Sequence, residues 1–105
     1  MQRVKLCFYV PVEDCERVKA ALFAAGAGHI GLYDCCAWQT VGVGQFRPLA
    51  GSQPALGKID AIEKVAEIKV EMICTQECIE KVVAALRSVH PYEEPAYDVW
   101  KLMDL

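Results

Sequence analysis

Seven consecutive residues, Ala66-Glu67-Ile68-Lys69-Val70-Glu71-Met72, alternate strictly between apolar and charged. Side chains on a strand point to opposite faces in turn, so this pattern belongs to a strand with one dry and one wet face. Ala66, Ile68, Val70 and Met72 are expected to point inward, and Glu67, Lys69 and Glu71 outward. The stretch Val4-Lys5-Leu6-Cys7-Phe8-Tyr9-Val10 alternates too, with Val4, Leu6, Phe8 and Val10 on one side. Strands of this kind build a sheet covered on one side only.

Two helical stripes supply the cover. Cys15, Val18, Leu22 and Ala25 are spaced by three or four residues and predict a helix after Pro11. Glu13, Asp14 and Glu16 put negative charge at its N-terminus, and Gly26 sits where a left-handed residue would end it. Ile79, Val82, Val83 and Leu86 form the second stripe. Thr75 is expected to cap that helix and His90-Pro91 to stop it. Ala96 to Leu102 then reads as a final strand.

Between the halves, residues 26–57 hold all seven glycines and two of the prolines. Strand-like pieces run from Ile30 to Thr40 and from Val43 to Arg47, with Gly42 and Gly44 marking a turn or bulge between them. Pro48 to Gly57 reads as an ordered surface loop, of the kind that is usually functional or mobile. The order is therefore β-α-β, an excursion, then β-α-β. That is an α+β chain of the ferredoxin-like split βαβ type: a four-stranded antiparallel sheet, two helices on one face, and an extra hairpin between strands 2 and 3. At 105 residues it is one domain spanning 1–105. The second strand would lie at an open edge, which is commonly paired across subunits, so a homo-oligomer is expected.

Composition removes several classes of function. Net charge is −3 with Lys and Arg scattered singly, which argues against a nucleic-acid binder. No apolar run is long enough for a membrane span. The N-terminus enters a strand pattern directly, with no signal-peptide core, so the cytoplasm is the expected address. Six cysteines then read as reduced thiols, since no zinc-finger or C-x-x-C spacing occurs. Gly26, Gly28 and Gly31 spell G-x-G-x-x-G, but after a helix and before a strand, which is the wrong context for a dinucleotide.

Three ordered motifs carry a resemblance. They are Gly26-Ala27-Gly28-His29-Ile30-Gly31-Leu32-Tyr33-Asp34-Cys35-Cys36, Gly42-Val43-Gly44-Gln45-Phe46-Arg47-Pro48, and His90-Pro91-Tyr92-Glu93-Glu94-Pro95-Ala96-Tyr97-Asp98. Together they resemble the YqfO-like domain, the insert within larger proteins of the NGG-interacting-factor family. The resemblance implies a fold similar to the PII and CutA proteins, usually trimeric. It also implies that the dinuclear metal site of the larger relatives, built by their flanking lobes, is not carried by the insert.

The two histidines sit in the two stiffest stretches, which suggests a cleft shared by the Gly28–Tyr33 turn, the Gly42–Pro48 hairpin and the His90–Glu94 bend. The candidate ligand-binding residues are Gly28, His29, Tyr33, Gly42, Gly44, Phe46, His90 and Tyr92. His29, His90, Glu93 and Glu94 are the candidate ligands for a divalent metal, since imidazole and carboxylate suit zinc, copper or nickel. Cys35 or Cys36 near His29 would be needed for a nucleophilic enzyme, but no third member orients the histidine, so no catalytic residue is assigned. The reading is a small oligomeric regulatory domain that binds a small-molecule effector or a divalent metal. A metal-dependent hydrolase and a pure protein-interaction module are the alternatives.

Overall fold

The computed structural model describes residues 2–105. Strand β1 spans Arg3–Pro11 and passes through a single 3-10 turn, Val12–Asp14, into helix α1, Cys15–Ala24. Strand β2 is Trp38–Phe46, β3 is Glu63–Thr75, helix α2 is Ile79–Val89 and β4 is Tyr97–Lys101. The sheet order is β2-β3-β1-β4 with every neighbouring pair antiparallel. This is the ferredoxin-like arrangement.

The alternating patterns place the core as expected. Val4, Leu6, Phe8 and Val10 of β1 meet Ile68, Val70, Met72 and Cys74 of β3 beneath α1 and α2. The helices contribute Cys15, Val18 and Leu22 from one and Val82 and Leu86 from the other. Each fully buried Val, Leu or Phe contributes roughly 1.5–3 kcal/mol. The surface pairs Arg17–Asp14 and Lys19–Glu16 are of a kind worth at most about 1 kcal/mol each. Burial therefore holds the layers together.

Helix α1 ends in a Schellman motif. Gly26 adopts φ +113, its N–H donates to the Phe23 carbonyl, and the Ala27 N–H donates back to Leu22. Helix α2 starts differently from the expected cap. Thr75 closes β3, its carbonyl accepts the Cys78 N–H, and the helix begins at Ile79 with no side-chain cap.

The excursion also differs from its sequence reading. The Ile30–Thr40 strand does not form. Ile30 and Tyr33 exchange two hydrogen bonds across a tight turn at Gly31, whose φ is +58, and the chain stays irregular until Trp38. Gly42 and Gly44 do not interrupt a strand either; β2 runs straight through both, paired to Glu67 and Val65. Strand β1 ends at Pro11, opposite Glu67. From there outward β2 and β3 continue as a two-stranded arm, and neither helix covers it. Hence Ala66, expected inward, is exposed, as is Val43, its partner across the arm.

The loop after Phe46 folds back instead of extending the arm. Its closing contact joins the Asp60 N–H to the Pro48 carbonyl at 2.7 Å, and Pro48 is buried. At the opposite end of the sheet the two chain ends meet. The Leu102 N–H donates to the Arg3 carbonyl, and the Gln2 side-chain amide donates to the Leu102 carbonyl. No helix of the described residues is long and apolar enough to cross a membrane.

Candidate functional site

His90 is the pivot of the bend between α2 and β4. Pro91 forbids further helix, so His90 takes extended backbone geometry, φ −68 and ψ 138. Its ring is buried, 6% exposed. The Tyr92 backbone N–H donates to Nδ1 at 3.1 Å, so Nδ1 carries no proton. Nε2 therefore holds the proton and donates to the Tyr9 carbonyl at 2.7 Å. Both ring nitrogens are thus used within the fold, pinning the bend to the end of β1.

That pinning aims Tyr92 across the open face of the sheet. Its hydroxyl donates to Glu67 Oε2 at 2.8 Å, and its ring packs against Phe46 with centroids 5.8 Å apart. Glu67 points to the sheet's outer face, as its place in the alternation requires. It is nevertheless only 8% exposed, because Tyr92 covers it. Gly44 provides the remaining room: a Cβ there would collide with the Glu67 carboxylate. The glycine that looked like a strand breaker is a seat for a carboxylate. Burial and the bond to Glu67 both push the Tyr92 hydroxyl well above the usual phenol range, so it remains a donor.

Above this floor lies a cavity of about 610 Å³. Its walls are the outer face of β2 from Thr40 to Phe46, the returning loop at Ser52 to Leu56, and the bend at Tyr92 to Ala96. Glu67, Lys69 and Tyr9 complete it. The Gln53 backbone N–H donates to Glu93 Oε1 at 3.0 Å and ties loop to bend.

Four of the candidate ligand residues, Gly42, Gly44, Phe46 and Tyr92, line this cavity. His90 packs beside Tyr92 with ring centroids 4.9 Å apart. Gly28, His29 and Tyr33 lie elsewhere. Gly28 bonds to Ile73, which pairs with Lys5, whereas His90 bonds to Tyr9. Four residues of β1 separate the two points, roughly 13 Å at the rise of a strand. The expected three-part cleft is therefore two-part within one chain. The metal set does not come together within one chain either. His29 is exposed at one end of the sheet, both His90 nitrogens are taken at the other, and Glu93 holds the loop. Among the described residues no three His, Cys, Asp or Glu side chains converge as metal ligands.

Among the described residues no hydrogen bond joins a cysteine thiol to a histidine ring. Cys35 is exposed at φ +54, and the Cys36 thiol donates to the Asp34 carbonyl. Burial pushes the Cys74 thiol up to about 11 and also raises Cys15. Both are core residues.

Sequence reasoning missed Glu67, Lys69 and Thr40, and marked the Ser52–Leu56 wall only as part of a loop of the usually functional or mobile kind. Glu67 was legible only as one of three charged residues on a wet face. Its position opposite Gly42 and diagonal to Gly44 appears once the β2–β3 register is known.

Two expected results follow from this geometry. Gly44→Ala should turn the Glu67 carboxylate out of its seat and break the Tyr92 bond. The expected loss is about 1 kcal/mol, read as a lower urea midpoint at unchanged slope. The second concerns pH. Burial, outweighing the bond to Tyr9, lowers the proton affinity of His90 below the ordinary 6.5. The unfolded chain therefore binds the extra proton first, so stability is complete above about pH 6.5 and declines as pH falls towards the folded-state value. Protonation also places an N–H on Nδ1, facing the Tyr92 N–H. Urea midpoints across this window should fall with acidity in the parent and lose that component in His90→Gln. An equal slope in both would assign the proton to another group.

The strand order, paired helices and projecting arm define the class: a ferredoxin-like domain of the PII/CutA kind. The divalent cation tolerance protein CutA from Archaeoglobus fulgidus superposes with a TM-score of 0.70 over 97% of this chain and 85% of its own, at 15% identity. Within that class the chain is the counterpart of a domain of the NIF3 family, as the three motifs implied. A Bacillus cereus protein related to NIF3 superposes with a TM-score of 0.84 at 39% identity, over 98% of this chain and 26% of that one. A Mycobacterium tuberculosis protein named GTP cyclohydrolase 1 type 2 homolog is 48% identical over 99 residues, 94% of this chain. The chain spans about a quarter, 26%, of the length of that curated relative. No family model matches the chain.

Proposed function

We propose that this domain is a small-ligand-binding regulatory module, with its site in the cavity between the β2–β3 arm, the 48–56 loop and the 90–96 bend. The pair of buried Glu67 and half-buried Tyr92 on the cavity floor carries the reading. A buried carboxylate is costly and is kept where it is paired or used, and here it faces a cavity of ligand size. The bend that aims Tyr92 is held by two His90 hydrogen bonds, so the floor is built before any ligand arrives.

The module acts as a homo-oligomer. Strands β2 and β4 are the two margins of the sheet, and both carry exposed large apolar side chains: Trp38, Val41 and Val43 on one, Val99 and Trp100 on the other. Open apolar edges of this kind are normally covered. A cytoplasmic setting suits the six unpaired cysteines. The relatives' name speaks of a GTP cyclohydrolase, but of chains about four times as long. Catalysis of that kind is not needed to account for this cavity.

Amide NMR titration with mixtures of cellular metabolites tests the reading. Ligand-dependent shifts are expected at Thr40 to Phe46, Glu67 and Tyr92 to Ala96, and their loss in Gly44→Ala. Shifts confined to the Gly28–Tyr33 turn, or none at all, would overturn it.

A further inference from the structure

The charge of the cavity narrows what it accepts. Its charged lining residues are Glu67, Glu93 and Glu94 against Lys69 alone, three carboxylates to one ammonium. Glu67 is the buried one, and the Tyr92 hydroxyl reaches only its Oε2. Among the described residues the ion pairs are Lys5–Glu71, Arg17–Asp14 and Lys19–Glu16, so Glu67 has no cationic partner. Buried charges are normally paired. The Tyr92 ring, whose hydroxyl bonds to Glu67, packs in turn against Phe46, the two rings inclined at 55° to one another. A carboxylate beside an aromatic pair is suited to an ammonium group, which bonds to the oxygen and is drawn to an aromatic ring.

We infer that the cavity binds an organic cation: a primary or secondary ammonium head at the Glu67 carboxylate, beside Tyr92, on an apolar body lying against the 48–56 loop. This rests on the ligand-binding reading above and goes beyond it by naming the ligand class. It runs against an anionic nucleotide, whose phosphates would enter a cavity already carrying excess negative charge. An ammonium head supplies the charge that Glu67 lacks, and Pro54 and Leu56 receive the body.

The test is an amide NMR titration of the intact chain with four probes: phenethylamine, its neutral N-acetyl derivative, phenylpropionate and GTP. Phenethylamine should shift the Gly44, Glu67 and Tyr92 amides, and the other three should bind at least about tenfold more weakly. Glu67→Gln keeps the shape and an acceptor for Tyr92, and should weaken the amine about tenfold. Lys69→Glu, at an exposed position, should tighten it about two- to threefold, and it gives the answer if Glu67→Gln disturbs the fold. Phenylpropionate or GTP matching the amine at those amides would overturn the cation assignment and leave the cavity reading standing. Silence at those amides with all four probes would overturn both.

Discussion

His90→Ala is expected to cost about 3 kcal/mol of folding stability, a large share of the roughly 5–15 kcal/mol that holds a domain together. The imidazole satisfies two backbone groups at once, the Tyr9 carbonyl through Nε2–H and the Tyr92 N–H through Nδ1. Alanine orphans both in a partly buried place, and an unsatisfied buried group costs roughly 1–3 kcal/mol. It also leaves a hole beside the Tyr92 ring. Equilibrium urea unfolding measures the loss, and near-ultraviolet circular dichroism reports whether the tyrosine environment changes with it. A cost below about 1 kcal/mol would mean that both groups find new partners and that the bend does not depend on the ring. His29→Ala is the contrast. That side chain is exposed and should change stability by no more than about 0.5 kcal/mol.

Gly28→Ala should cost about 2–3 kcal/mol, for reasons unrelated to the loss of any bond. Gly28 holds φ +82, where an L side chain is strained by roughly 1–2 kcal/mol. A Cβ there would lie 2.8 Å from the Phe23 ring and 3.0 Å from the Cys36 carbonyl oxygen. Retreat is blocked, because the Gly28 N–H is bonded to Ile73 and its carbonyl accepts the Cys36 N–H. Gly31→Ala separates the two contributions. Its φ is +58, but nothing lies within 4 Å of the added carbon. That variant should show the backbone strain alone, about 1 kcal/mol. Thermal or urea unfolding of the two side by side is the measurement. Equal losses would remove the steric part of the argument.

The fold was legible where one periodicity governed a whole segment. The alternation through Val4–Val10 and Ile68–Met72, and the stripes through Val18, Leu22, Val82 and Leu86, each report which atoms leave water. They place those side chains in the core directly. The excursion was less legible because glycine has two uses that a sequence does not separate. Gly26, Gly28 and Gly31 are present for positive φ. Gly42 and Gly44 lie within a strand, and Gly44 is there for the volume its missing side chain leaves to Glu67. The site suffered from the same ambiguity. Tyr92 and Phe46 stood out by residue type, whereas Glu67 resembled any charged residue on a wet face. His90 was conspicuous for the wrong reason. A histidine before a proline suggests chemistry, yet here both nitrogens serve the backbone.

The hydrogen bonds that join Leu102 to Arg3 and Gln2 have a consequence for how such a domain travels between proteins. Entry and exit of the polypeptide lie side by side on neighbouring strands, at the opposite end of the sheet from the cavity. A chain with this geometry can be spliced into a single surface loop of a host protein. Both junctions then share one small seam, and the host's loop is closed by a short span with little entropic penalty. The cavity and the arm would face away from the host, free to meet their own ligands. The matching segment makes up 26% of the length of the Mycobacterium tuberculosis and Bacillus cereus relatives.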